Sequence, residues 1–97
     1  MAAERVRIGV IGLGFGSKVQ IPGFRSEGFE VAAVCSRTRE RVDQVAKEFD
    51  ISRGYTDYRD LLRQPDLDAV SIVTPPDLHG EMTLAALDAG KHVLCEK

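Results

Sequence analysis

A glycine-rich segment, Gly12-Leu13-Gly14-Phe15-Gly16-Ser17, directly follows the apolar run Ile8-Gly9-Val10-Ile11. A buried strand that ends in a glycine turn and opens into a helix can hold a pyrophosphate group. Gly12 permits the tight turn, and Gly14 lacks a Cβ, so the backbone can come close to the phosphates. The first N–H groups of the helix have no partners within it and face the anion. The pattern therefore predicts nucleotide binding.

The segment departs from the usual spacing, because Ser17 stands where a third glycine is expected and Gly16 precedes it. Glycines mark turns throughout proteins, so the alternative is a plain turn between a strand and a helix that binds nothing. We favour nucleotide binding, because the strand before the turn and the βαβ unit after it supply the context that the motif requires.

A polar segment, Ser36-Arg37-Thr38, lies at the end of the next apolar run. An Asp or Glu at this place would bind the adenosine ribose hydroxyls of NAD. A hydroxyl and a guanidinium suit a 2′-phosphate instead, so the segment favours NADP, with NAD still possible. We expect Arg37 to pair with the phosphate and stack on the adenine, with help from Arg41 one helical turn later. The alternative is that Ser36 is a turn residue and that both arginines are solvated.

Three further candidates follow later apolar runs. Thr74-Pro75-Pro76 would form an apolar ledge beside a planar cofactor, although an ordinary helix-opening turn is an equally good interpretation. His79 falls in the first turns of the next helix, where a histidine is more often exposed or packed than catalytic. Glu96-Lys97 follows the fifth run, and its lysine could hydrogen-bond a substrate hydroxyl. A charged side chain in solvent is the simpler alternative there.

Strand and helix patterns alternate along the chain, which predicts an α/β domain with a parallel sheet. We expect the helix after the glycine turn to break before Pro22, because proline fits poorly inside a helix. Thr38 can cap the next helix, a short helix spans residues 57–63, and a last helix opens at Pro75-Pro76 and ends at Gly90. The predicted strands are residues 6–11, 29–35, 51–55, 69–73 and 92–95.

Right-handed crossovers between parallel strands give the strand order 3-2-1-4-5, a Rossmann-type doubly wound sheet. The winding reverses between strands 1 and 4, and open α/β sheets bind ligands at that point, beyond the carboxyl ends of the strands. The candidate segments follow four different strands. The topology therefore brings them to one edge of the sheet.

The chain has 97 residues, 43% hydrophobic and 29% charged, which is typical of one globular domain. Its net charge of -2 gives no electrostatic footprint for nucleic acid. No apolar stretch approaches the roughly 18 residues of a membrane span, and no secretory signal is evident, so we expect a cytoplasmic protein. Cys35 and Cys95 are isolated, which favours packed thiols over a disulfide or a metal site.

Four segments resemble the N-terminal domain of the glucose–fructose oxidoreductase, inositol dehydrogenase and rhizopine catabolism (Gfo/Idh/MocA) family: residues 8–16, 57–62, 68–79 and 86–97. They are spread from residue 8 to residue 97, so the resemblance covers essentially the whole chain, and the run Ala89-Gly90-Lys91-His92-Val93-Leu94-Cys95-Glu96-Lys97 is highly specific. The resemblance implies that Lys97 is a catalytic-site residue and that Glu96 helps to hold the nicotinamide end. It also implies that four residues lie around the cofactor: Thr74, Pro75, Pro76 and His79.

The resemblance implies an oxidoreductase that moves a hydride between NADP or NAD and a sugar, cyclitol or related secondary alcohol, with Lys97 orienting the oxygen. In that family the lysine is followed by a proline, a final strand and a second domain. That domain supplies most substrate contacts, the proton-transferring residue and the oligomer interface. We therefore expect residues 1–97 to be the dinucleotide-binding part of a two-domain, homo-oligomeric enzyme and to be inactive alone. The alternative is a non-catalytic nucleotide-binding module or an NADP-sensing regulator.

Overall fold

The computed structural model describes residues 6–13, 17–73 and 76–95 of the chain. Strands and helices alternate: β1 (Arg7–Ile11), α1 (Ser17–Ser26), β2 (Glu30–Cys35), α2 (Arg39–Glu48), β3 (Arg53–Tyr55), α3 (Tyr58–Leu62), β4 (Ala69–Ile72), α4 (Pro76–Asp88) and β5 (His92–Cys95). The strands pair in parallel in the order β3-β2-β1-β4-β5. The predicted fold class and strand order are confirmed.

The central strands are covered on both faces, which agrees with their near-continuous apolar sequences. β4 is buried along its whole length, and β2 is buried after its first residue. Two clusters form the core, one on each face of the sheet. One cluster includes Ile21 from α1 and Val42 and Val45 from α2. The other cluster includes, from α3 and α4, Leu61, Leu62, Met82 and Ala86.

Helix α1 corrects one expectation, because it runs without a break from Ser17 to Ser26 with Pro22 inside it. Pro22 is exposed, whereas its neighbour Ile21 is fully buried in the core. The helix forfeits the one hydrogen bond that a proline nitrogen cannot donate. We attribute its continuity to the packing of its buried side, which outweighs this local cost.

The ends of several elements differ from the prediction by one or two residues. β2 begins at Glu30, β3 begins at Arg53, and β4 ends at Ile72. Thr38 occupies the N-cap position of α2, with φ -106° and ψ 120°, but its side chain makes no capping hydrogen bond. At α3, by contrast, the N-cap side chain of Asp57 accepts a hydrogen bond from a backbone N–H of the helix.

The carboxyl ends of the five strands are in register. Ile11 of β1 pairs with Cys35 of β2 on one side and with Ile72 of β4 on the other. Cys35 in turn pairs with Tyr55 of β3, and Ile72 pairs with Cys95 of β5. The segments that leave these strands therefore emerge side by side along one edge.

At the opposite edge of the sheet, the α3–β4 loop (residues 63–68) is joined to β1 and β3 by hydrogen bonds between charged side chains. Asp66 accepts hydrogen bonds from Arg53 at 2.9 and 2.6 Å, and from Arg7 at 3.0 Å. These bonds, chiefly those from Arg53, hold the pKa of Asp66 well below its usual range. The loop thereby links the start of β1 to the start of β3.

Lys91, just before β5, is a buried cation bound to the same loop. It is 7% exposed, and its Nζ donates hydrogen bonds to the carbonyl oxygens of Gln64 at 2.6 Å and Leu67 at 2.8 Å. A buried ammonium is tolerated only where acceptors replace its lost hydration. Lys91 therefore fastens the start of β5 to the α3–β4 loop.

We expect Lys91→Met to lower the free energy of unfolding by about 2 kcal/mol, because two carbonyl oxygens lose their donor in a largely buried site. Urea unfolding followed by circular dichroism measures the change. Lys47→Met, at an exposed position of α2, is the matched control and should change stability by less than about 0.5 kcal/mol. Equal unfolding midpoints for the two variants would contradict this role of Lys91.

Candidate functional site

A cleft of about 560 Å³ opens at the carboxyl edge of the sheet. Segments after four strands line it: Gly12 follows β1, Ser36 follows β2, Thr56 follows β3 and Val73 follows β4. Helix α4 closes one side with Met82. Because β1 lies between β2 and β4, the cleft spans the point where the winding of the sheet reverses, which is where ligands of such sheets bind.

Gly12 makes the turn at the base of the cleft in a conformation that favours glycine, with φ 96°. Its N–H donates to the carbonyl of Cys35 at 2.9 Å, so the β1–β2 ladder continues one residue beyond the strand. On the other side of β1, the N–H of Val73 donates to the carbonyl of Ile11 at 2.9 Å. The turn is therefore held by backbone hydrogen bonds on both sides.

Arg41 lies against this turn. Its Nε donates to the carbonyl of Leu13 at 2.7 Å, and its Nη1 donates to Oε1 of Gln44 at 3.2 Å. Arg41 is not among the residues that line the cleft. The structure thus assigns it to the support of the glycine turn, and its predicted help in binding a 2′-phosphate stays a prediction.

The segment after β2 contributes Ser36, Arg37 and Thr38 to the lining of the cleft, as expected from its position. The N–H of Ser36 donates to the carbonyl of Tyr55 at 3.1 Å, which aligns this segment with the end of β3. Arg37 is exposed and makes no hydrogen bond or ion pair within the described part of the chain. Its guanidinium is therefore available to an anion in the cleft.

Sequence reasoning missed the segment after β3 as part of the site. Thr56, Asp57 and Tyr58 all line the cleft, and none of them is among the predicted site residues. The signal was the same one that identified the other segments, namely a place directly after a parallel strand. β3 has a short and weak pattern, so its carboxyl end received no weight. Met82 of α4 is likewise not among the predicted site residues.

Cys35 forms part of the wall of the cleft and is a buried free thiol. Burial raises the pKa of this thiol to about 12, and the negative charges of Asp57 and Asp60 act in the same direction, while Arg39 opposes them. The thiol is thus protonated at neutral pH, and it contributes packing rather than nucleophilic chemistry.

Several predicted site residues cannot be compared with this geometry. Outside the described residues lie Gly14, Phe15, Gly16, Thr74, Pro75, Glu96 and Lys97. Ser17 is the first residue of α1, and both Pro76 and His79 lie in the first turn of α4. The helices that carry them begin at the same edge of the sheet as the cleft, because each follows the carboxyl end of a parallel strand.

In the part of the chain that the structure describes, no helix has the length and apolar character needed to cross a membrane. Over the same residues, no group of three or more His, Cys, Asp or Glu side chains is placed to hold a metal ion.

Residues 6–97 match the family model of an oxidoreductase family with the NAD-binding Rossmann fold. The chain is 43% identical over 90 residues to D-xylose 1-dehydrogenase (NADP(+)) 2 of Haloferax volcanii, covering 92% of this chain and 28% of that protein. It is 46% identical over 77 residues to 1,5-anhydro-D-fructose reductase of Ensifer adhaerens, covering 79% of this chain and 23% of that protein.

Among solved structures, the chain resembles scyllo-inositol dehydrogenase from Lactobacillus casei with bound NAD(H) and scyllo-inositol. The TM-score is 0.89 at 31% sequence identity, over 97% of this chain and 28% of the other. The chain thus spans 23% to 28% of the length of these relatives. The family match extends over nearly all of its residues, and the fold agrees with it. The segments that suggested the resemblance led to the correct family: the chain belongs to the Gfo/Idh/MocA oxidoreductases, in their NAD-binding Rossmann domain.

Proposed function

We propose that this chain binds NADP, and less tightly NAD, in the cleft, and that it serves as the cofactor domain of an enzyme that oxidises or reduces a CH–OH group of a sugar, cyclitol or related alcohol. The observation that carries the proposal is that Gly12 and Arg37 line one cleft, and that the Arg37 guanidinium has no partner among the described residues. The relatives named above are dehydrogenases and a reductase, which supports a catalytic rather than a regulatory role.

The turn after β1 fits the pyrophosphate of a dinucleotide. Gly12 has the positive φ that the tight turn requires, and α1 begins shortly after it at Ser17. Unpaired N–H groups at the start of a helix attract an anion, and the helix dipole adds to this attraction. We assign the same role to Gly14, Phe15 and Gly16, on the sequence motif.

The segment after β2 fits the adenosine end of the cofactor. Ser36 offers a hydroxyl and Arg37 a guanidinium, where an acidic residue would favour the ribose hydroxyls of NAD. Thr38 lines the cleft beside them. In support of NADP, the name of the Haloferax volcanii relative specifies NADP(+), whereas the scyllo-inositol dehydrogenase structure holds NAD(H). The chemistry of Arg37 is what directs our choice between the two.

The nicotinamide end is assigned to the segments after β4 and β5. We propose that Thr74, Pro75, Pro76 and His79 lie around the ring, and that Glu96 helps to hold it. The nicotinamide, when bound, supplies or accepts the hydride. Lys97 would orient the reacting oxygen and assist its loss or gain of a proton. Substrate contacts and a homo-oligomer interface are proposed to come from a second domain of the whole enzyme.

The first test concerns Gly14. We expect Gly14→Val to abolish binding of both NADP⁺ and NAD⁺ to a folded domain, because a branched side chain would occupy the space of the pyrophosphate. Isothermal calorimetry measures affinity, and circular dichroism measures folding. Gly23→Val is the matched control, because a Cβ added at Gly23 meets nothing within 4 Å. Unchanged affinity in the folded Gly14 variant would show that this glycine serves only the turn.

A second test separates NADP from NAD. We expect Arg37→Ala to weaken NADP⁺ binding by about tenfold or more, the scale of a lost hydrogen bond to a charged group, and to weaken NAD⁺ binding much less, by the lost stacking on the adenine alone. The control is Arg63→Ala, which removes an exposed arginine that does not line the cleft. A parallel loss of both affinities would disprove recognition of a 2′-phosphate by Arg37.

A third test addresses Lys97 in an enzyme that contains this domain together with its substrate domain. Lys97→Met keeps the length of the side chain and removes its charge. We expect the rate constant of hydride transfer to fall by about 10²-fold, the usual effect of losing an acid–base or orienting group. Single-turnover kinetics measures the rate, and titration of NADP⁺ on the same variant should show little change. If turnover survives, or if affinity falls as far as the rate, Lys97 is not catalytic.

A further inference from the structure

We propose that Asp57 is a second determinant of cofactor selectivity, and that its carboxylate on the wall of the cleft disfavours the 2′-phosphate that Arg37 attracts. This inference rests on the proposed function, since it concerns the same dinucleotide. In this fold, selectivity between NAD and NADP is expected to come from the segment after β2. Asp57 lies outside that segment, because it follows β3.

The register of the sheet brings the two charged residues to equivalent places on neighbouring strands. Cys35 of β2 and Tyr55 of β3 are paired, and Arg37 and Asp57 each stand two residues beyond that pair. Neighbouring strands lie about 4.8 Å apart. Both residues line the same cleft. A phosphate that reaches the guanidinium therefore also comes into the field of the carboxylate.

Neither charge is neutralised within the described residues. Asp57 is exposed and forms no ion pair there, and Arg37 likewise has no partner. The two residues also form no ion pair with each other, although both line the cleft. The charge of Asp57 does reach the wall of the cleft, because it contributes to the raised pKa of the Cys35 thiol.

The structural role of Asp57 does not need its negative charge. Its Oδ1 accepts a hydrogen bond from the N–H of Arg59 at 2.9 Å and so caps α3. Asparagine caps helices about as well as aspartate. The charge and the cap can therefore be separated in one substitution, which leaves the shape of the cleft wall almost unchanged.

The two cofactors respond differently to an uncompensated carboxylate. A 2′-phosphate carries negative charge and is repelled, whereas the uncharged ribose of NAD is not. Arg37 attracts the 2′-phosphate of NADP and Asp57 repels it, and these two opposing effects do not arise for NAD, which lacks that phosphate. The domain should thus favour NADP less strongly than Arg37 by itself would dictate.

The test is calorimetric titration of NADP⁺ and NAD⁺ on the wild-type chain and on Asp57→Asn. We expect the substitution to tighten NADP⁺ by about threefold to tenfold at low salt, the scale of a charge pair several ångströms apart in a solvated cleft. The affinity of Asp57→Asn for NAD⁺ should stay within about twofold of the wild-type value. The gain in NADP⁺ affinity should shrink as salt is added, because the charges are screened.

Asp88→Asn is the matched control. It makes the same change in net charge, but Asp88 is an exposed residue at the end of α4, does not line the cleft and is not among the charges that act on the Cys35 thiol. It should leave the ratio of NADP⁺ to NAD⁺ affinity unchanged. Circular dichroism checks that each variant is folded, and Asp57→Ser, which also keeps a capping oxygen, replaces the Asn variant if that variant fails to fold.

The remaining outcomes separate this inference from the proposed function. If the wild type binds both dinucleotides and Asp57→Asn leaves their ratio unchanged, the inference is overturned and the proposed function stands. If both affinities fall together, Asp57 holds a group common to the two cofactors, which also overturns the inference. If the wild type binds neither dinucleotide, the proposed function fails, and this inference fails with it.

Discussion

The parallel pairing of β1 with both β2 and β4 is the constraint on which the cleft depends. Because β1 is central, the chain must leave it on one side to reach β2 and later cross to the other side to form β4. The connections therefore diverge at the carboxyl end of β1. A gap opens there, and the turn at Gly12 lies at its base. The site is a consequence of the strand order before any side chain is considered.

The two edges of the sheet use charge in opposite ways. At the amino edge, Arg7, Arg53 and Asp66 satisfy one another, and Lys91 is bound by carbonyl oxygens, so these charges hold the loops in place. At the carboxyl edge, the charges of Arg37 and Asp57 have no ionic partner within the described residues. A charge left unpaired beside a cleft is available to a ligand. The carboxyl edge thus differs from the amino edge because two charges beside its cleft have no ionic partner within the described residues.

Much of this organisation follows from the sequence, because apolar periodicity and turn residues report local structure directly. The strand order, the buried strands and the place of the glycine turn were all predicted correctly. Pro22 was misjudged, because its local cost is outweighed by the burial of Ile21, a tertiary contact that local rules do not contain. The hydrogen bond from Arg41 to Leu13 is also tertiary, so no spacing within the sequence indicates it. Asp57 was overlooked for a different reason, since the pattern of β3 was too weak to direct attention to its end.

The glycine turn of the site tolerates substitution less well than the charged positions after β2 and β3. Gly12 combines a positive φ with a backbone hydrogen bond to the neighbouring strand, so a side chain there would strain the turn and disturb the pairing of β1 with β2. Arg37 and Asp57 are exposed, and neither belongs to the buried clusters. Their charges can be exchanged without disturbing the core. In the function proposed above, the architecture fixes where the pyrophosphate would lie, while the choice of 2′-substituent would depend on the charges of two exposed residues that lie outside the core.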